Sequence, residues 1–171
     1  MKNLLLIFIL SVAQNVYSQE NKDEIQDWIR EKTSKYYYLN DGSSPKRFLN
    51  FRDGILIYGI SNYDNLGKNI STTLRKIKVS EIKTVEIKKI YIDRDVWIIN
   101  LYCAQDKNCV AERREYHFNK TYEEDVANSI SMEYNEKFSE EDLANRMSKA
   151  LNDLIKAYGG TAIINVRKEK Y

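Results

Sequence analysis

Two cysteines spaced Cys-x5-Cys, Cys103 and Cys109, and a single histidine, His117, are the residues whose types most directly invite chemistry. The cysteines flank Ala-Gln-Asp-Lys-Asn, a polar turn between two strand-like runs. They read first as a disulfide across the mouth of a hairpin, with two free thiols as the alternative. A structural zinc site needs about four clustered Cys or His ligands, and a redox pair ordinarily has Cys-x-x-Cys spacing. Neither pattern is present. A histidine is the usual general base near neutral pH. His117, however, lies between Tyr116 and Phe118 on a predicted strand, and no Gly-x-Ser-x-Gly elbow accompanies it. It is read as a strand histidine sharing a face with Glu115. No catalytic residue, metal ligand or cofactor is assigned.

Acidic trios stand at Glu123-Glu124-Asp125 and Glu140-Glu141-Asp142. The second suits the N-terminus of a helix, where negative charge is favourable. The first lacks the alternating ligands and glycine of a calcium loop and is read as solvated loop. The candidate binding surface is the run Tyr36, Tyr37 and Tyr38, with Arg75, Lys76 and Lys78 at the head of a basic stretch reaching Lys89. Tyrosines are common at recognition surfaces. The structural alternatives are that at least one tyrosine packs inward, and that the lysines guard exposed strands against edge pairing.

These residues need elements to hold them. Lys2, the apolar run Leu4 to Leu10, and Val16-Tyr17-Ser18 ahead of Gln19 have the order of a secretory signal peptide. The run is shorter than the ~20 residues that span a bilayer. Residues 1–19 are therefore read as a leader and the mature chain as an exported, soluble protein, periplasmic or secreted. Abundant Lys, Ile, Asn and Tyr, which have A/T-rich codons, suggest a bacterial source. The 27 basic and 25 acidic side chains leave a charge of only +2, so nothing drives the chain toward nucleic acid. Without the leader, roughly 150 residues remain, enough for one domain.

Residues 20–46 are read as an N-terminal helix and linker. Ile25, Trp28 and Ile29 at helical spacing place the helix over about 23–34, with Asn21 as N-cap and turn chemistry through Pro45. A β region follows: Arg47 to Phe51 and Ile55 to Ser61 around an Asp53-Gly54 turn, then Thr73 to Val79, Ile82 to Ile92, Val96 to Cys103, Cys109 to Phe118 and Ser129 to Tyr134. Ser139 to Asp142 fits a capping box. Leu143, Met147, Ala150, Leu151, Leu154, Ile155 and Tyr158 then repeat on one helical face, and Gly159-Gly160 ends the helix. Residues 161–171 form a tail, either frayed or an edge strand through Ala162 to Val166.

The expected fold is α+β: a bent antiparallel sheet or small barrel of about seven strands, capped by the C-terminal helix, with a short N-terminal helix alongside. In element order the segment 47–160 resembles pleckstrin-homology-like (PH-like) domains. The chain also resembles small exported bacterial proteins of unknown function, in which a leader and short helix precede strands and a helix ending in Gly-Gly. The PH-like resemblance implies a scaffold for binding a peptide or protein. It does not imply lipid-headgroup recognition, because the first hairpin loop is just Arg52-Asp53-Gly54 and the C-terminal helix has no Trp. The expected function is a non-enzymatic module that binds an envelope or extracellular protein. The alternative is a carrier of a small apolar ligand in a β-barrel cavity.

Overall fold

The computed structural model describes residues 21–37, 45–91, 94–105 and 107–168. The leader, Tyr38, and the turn residues 39–44 lie outside them. Helix α1 covers 21–36 and turns Ile29, Thr33 and Tyr36 into the core, with Ile25 and Trp28 partly buried against it. Asn21 is already helical, so it is not the N-cap.

Nine strands and a second helix follow among the described residues. They are β1 (Lys46–Arg52), β2 (Ile55–Tyr63), β3 (Asn69–Lys78), β4 (Thr84–Tyr91), β5 (Asp95–Tyr102), β6 (Val110–Tyr116), β7 (Thr121–Ala127), β8 (Ser129–Tyr134), α2 (Leu143–Ala157) and β9 (Ile163–Lys168). The strands form two sheets rather than one bent sheet or a closed barrel: a five-stranded one ordered β1-β2-β3-β6-β7 and a four-stranded one ordered β8-β5-β4-β9. The expected count of seven missed β7 and left β9 as one of two alternatives for the tail. The tail is a strand, and it pairs parallel with β4, the one parallel pair in these sheets.

Asp53 and Gly54, both at positive φ (52° and 74°), make the tight β1–β2 turn. The Cys segment behaves differently. β5 pairs with β4 and β8, and β6 pairs with β3 and β7, so the chain between Cys103 and Cys109 crosses between sheets. Cys103 and Cys109 are bonded, as the spacing suggested, but their bridge ties one sheet to the other and closes no hairpin. The return crossing from β7 to β8 passes the same corner, where the Cys103 amide donates to Asn128 O at 2.8 Å.

All seven apolar positions of the predicted C-terminal stripe face inward or pack partly buried against the core. Burying the large ones contributes on the order of 10 kcal/mol before entropy is charged against it. At the helix end, Gly159 N–H donates to Lys156 O and Gly160 N–H to Ile155 O, both at 2.9 Å, the hydrogen-bond pair of a Schellman cap. Gly159 supplies the left-handed conformation, at φ 75°. Gly160 allows close approach, since a Cβ there would lie 2.9 Å from the Ser80 backbone.

The capping box is not formed. A 3-10 turn over Glu136–Asp142 precedes α2, Asn135 caps it by accepting from Lys137 N, and Asp142 sits at φ 54° with no capping bond. Phe138 supplies the reason. It is fully buried, 4.6 Å from the Tyr134 ring and 5.9 Å from Trp97 between centroids. Seating a large aromatic there outweighs one surface cap worth about 1 kcal/mol.

Candidate recognition surface

The five-stranded sheet has one face that the core does not cover. Register aligns three rows across it: Lys46, Ser61, Thr72, Glu115 and Tyr122; Phe48, Gly59, Leu74, Arg113 and Glu124; Asn50, Ile57, Lys76, Ala111 and Val126. Because successive side chains on a strand point to opposite faces, these rows share one face. Gly59 leaves room for the Phe48 ring to lie across it; a Cβ there would be 2.0 Å from Phe48 Cζ. Phe48 nonetheless stays 41% exposed.

Beyond β3 the face opens into a cleft of about 540 Å³ lined by Leu74, Lys76, Ala111, Arg113, Glu124 and Val126, among others. Three of its eight lining residues, Leu74, Ala111 and Val126, are apolar and the other five are charged. The Arg113 guanidinium lies 4.3 Å from the Tyr122 ring centroid, with Nε 2.9 Å from Glu115 and Nη1 3.8 Å from Glu124. This fixes Arg113 between two strands and leaves Tyr122 and Val126 more than half exposed, at 58% and 56%. The β6–β7 hairpin therefore has little cover on either face: no β7 residue is buried, and of β6 only Val110 is.

The predicted candidates scatter. Tyr36 and Tyr37 are not surface: they are 2% and 6% exposed. Tyr36 meets Phe138 edge-on, while Tyr37 stacks on Tyr134 at 5.7 Å and contacts Tyr58 at 6.3 Å. Tyr38 lies outside the described residues. Arg75 is held by Glu112, Nε to Oε2 at 2.7 Å, on the opposite face from the cleft. Lys78 is exposed and 3.6 Å from Glu81. Only Lys76 reaches the cleft. The basic stretch also divides, because β3 and β4 belong to different sheets.

His117 is not on a strand but opens the turn after β6, its Nε2 3.0 Å from Thr72 Oγ1. Among the described residues no group of three or more His, Cys, Asp or Glu is placed to hold a metal ion. No described helix is long and apolar enough to cross a membrane.

The buried tyrosines form a separate polar seam. Burial, with Tyr134 and Tyr58 adding to it, holds the Tyr37 phenol far above its ordinary range. Burial also raises Tyr134 and Tyr58. Tyr134 bonds Thr33 at 3.3 Å, whereas Tyr37 OH has no hydrogen-bond partner among the described residues. On the open side of the four-stranded sheet, burial raises Tyr102 and the adjacent Glu86 raises it further. Glu86 there also accepts from Asn100 at 3.2 Å, so that cluster satisfies itself.

What sequence reasoning missed is the strand that builds the cleft. Glu123-Glu124-Asp125 is the centre of β7, not a loop. Tyr122 and Val126, four residues apart around that trio, were the available signal, since even spacing puts both on one face.

No protein-family model matches the chain, and neither a curated protein nor a solved structure was found that matches it.

Proposed function

We propose that this protein is a non-enzymatic binding module that grips an extended segment of another envelope or extracellular protein on the outer face of its five-stranded sheet. The observation that carries the reading is the β6–β7 hairpin, which presents exposed Tyr122 and Val126 beside an open cleft where Leu74 and Ala111 lie among charged side chains. Contiguous exposed apolar surface rimmed by polar groups marks interaction sites, and here Tyr122 and Val126 flank Glu124 on one face next to Leu74 and Ala111. The peptide-binding scaffold role is the part of the PH-like resemblance retained here.

An exported setting rests on the leader read from the sequence. The Cys103–Cys109 bond supports it, because disulfides persist in oxidising compartments. The carrier alternative has less support: the inward positions of β2, β3, β4 and β5 are filled by Leu56, Ile77, Val85, Ile87, Ile99 and Leu101, each at most 1% exposed.

Panning a random peptide library against the oxidised chain tests the reading. Enriched peptides should lose at least tenfold in affinity when Val126→Arg is combined with Arg113→Ala. A library that yields no binder sensitive to that pair would remove the surface from consideration.

A further inference from the structure

From the free edge of β7 we infer a mode of binding: the partner adds as a sixth strand, and it is an extended segment with consecutive basic residues flanked by β-branched or aromatic ones. This rests on the binding-module reading above and adds its geometry and the charge of its partner.

The edge is available. β7 ends the order of its sheet, with β6 on one side and no strand among the described residues on the other. Natural edges are guarded by charged side chains, Lys above all, by Pro or by a bulge. β7 has no Lys or Pro, and its register with β6 runs without a shift over the whole strand, so its guard is the acidic trio Glu123, Glu124 and Asp125. That trio repels an acidic strand and not a basic one. Its amides can be oriented. Val126 N–H donates to Asp125 Oδ1 at 2.7 Å, a side-chain bond that places this amide on the free edge rather than in the β6 ladder. The two-residue period of a strand puts the amides of Tyr122 and Glu124 on the same edge. Of these residues Glu124 and Val126 also line the cleft and Tyr122 shares their face, and a partner strand takes the Val126 amide by displacing the Asp125 carboxylate. This is the layout of recognition by strand addition, in which main-chain bonds give affinity and alternate pockets give specificity.

Charge chooses the occupant. Glu123, Glu124 and Asp125 occupy the middle of β7 with no base among its seven residues. Two copies paired antiparallel about Glu124 would set Glu124 against Glu124 and Glu123 against Asp125, and like charges directly opposite are destabilising. A second copy is therefore rejected at this edge, while a basic segment pairs on both faces. Tyr122 and Val126 frame the acids and receive apolar neighbours.

The test uses the oxidised full-length protein and the synthetic peptide Thr-Val-Lys-Arg-Lys-Val-Thr, capped at both ends. Controls are its acidic counterpart and a version N-methylated at alternate amides. The peptide should bind, weaken as ionic strength rises, and slow exchange at the amides of Tyr122, Glu124 and Val126 at least tenfold. N-methylation should abolish binding. So should Val126→Pro, which removes an edge donor outside the β6 ladder; an unchanged amide spectrum for β1 to β5 verifies its fold. If that variant does not fold, the N-methylated peptide decides alone. Binding without protection of those amides, or undiminished by N-methylation, overturns strand addition and leaves the binding module standing. Failure of both this peptide and the random library overturns both. Concentration-dependent protection of the same amides without peptide, together with a dimer in sedimentation, would assign the edge to a second copy and overturn the basic partner.

Discussion

β1 and β7 are the two edges of one sheet, each seven residues long and each paired on one side only, yet they are held in opposite ways. β1 buries Leu49 to 5% exposure, packs Phe51 partly buried against the core, and sends Arg47 to Glu133 on β8 at 3.1 Å. The local side-chain bond is common to both: Asn50 accepts the Phe51 amide at 2.8 Å on β1 as Asp125 accepts the Val126 amide at 2.7 Å on β7. β7 has no fully buried residue: Ala127 at its end packs partly buried against the core, and the rest is held by β6 and by surface contacts such as Arg113 over Tyr122. An edge strand is fixed by what its inward side chains touch, and the ladder alone leaves it free to take another strand.

That contrast can be broken at four places, in falling order of effect. Leu49→Ala should cost about 2–5 kcal/mol, the range for emptying a core leucine site, measured by urea unfolding; a cost under 1 kcal/mol would mean that β1 is not anchored as described. Replacing Cys103 and Cys109 together with Ser should cost about 2 kcal/mol by chain-entropy reasoning for so short a loop. Exchange should then quicken in β6 and β7, above the severed corner, more than in β1.

Alkaline pH acts on the tyrosine seam beside β1. Burial raises the folded-state pKa of Tyr37, Tyr58 and Tyr134 above the unfolded value. Their contribution is complete below about pH 10, the ordinary tyrosine value, and is lost as pH rises through the folded values. Each such tyrosine lowers stability by about 1.4 kcal/mol per pH unit above that point. Absorbance titration should show the three phenols ionising only as the chain unfolds; early reversible ionisation would contradict their burial. Last, Val126→Ala and Tyr122→Ala should each shift stability by no more than about 0.5 kcal/mol, as exposed positions do. A larger loss would show that the hairpin is clamped to the body after all.

Much of the body was legible. The C-terminal stripe from Leu143 to Tyr158 read correctly because one helical face has to be apolar when it covers a core. Asp53-Gly54 declared a hairpin because few other residue pairs tolerate its backbone. β5 stood out as an apolar run because it lies inside its sheet with Trp97, Ile99 and Leu101 on the core face and Val96 buried on the other, all at most 2% exposed. The recognition surface was not legible for the converse reason. Of β7 only Ala127 packs against the core, and only partly buried, so the rest of its sequence has no reason to alternate, and three acids in a row looked like loop. The tyrosine run misled in the other direction: α1 extends through Tyr36, and the helical turn carries that ring into the core, where an extended chain would have exposed one face.

By itself the sequence determined the C-terminal helix and its glycine stop, the Asp53-Gly54 hairpin, most of the strands, and a disulfide as the first reading of its only two cysteines. Each of these depends on periodicity, turn chemistry or composition, which neighbouring residues settle among themselves. The tertiary structure alone decided that Cys103 and Cys109 join two sheets, that Ile163–Lys168 returns to lie parallel with β4, and that β7 is left as a bare acidic edge. Those outcomes depend on which strands pair across long stretches of chain. That choice is made by the global burial of apolar surface, and no window of local sequence contains it.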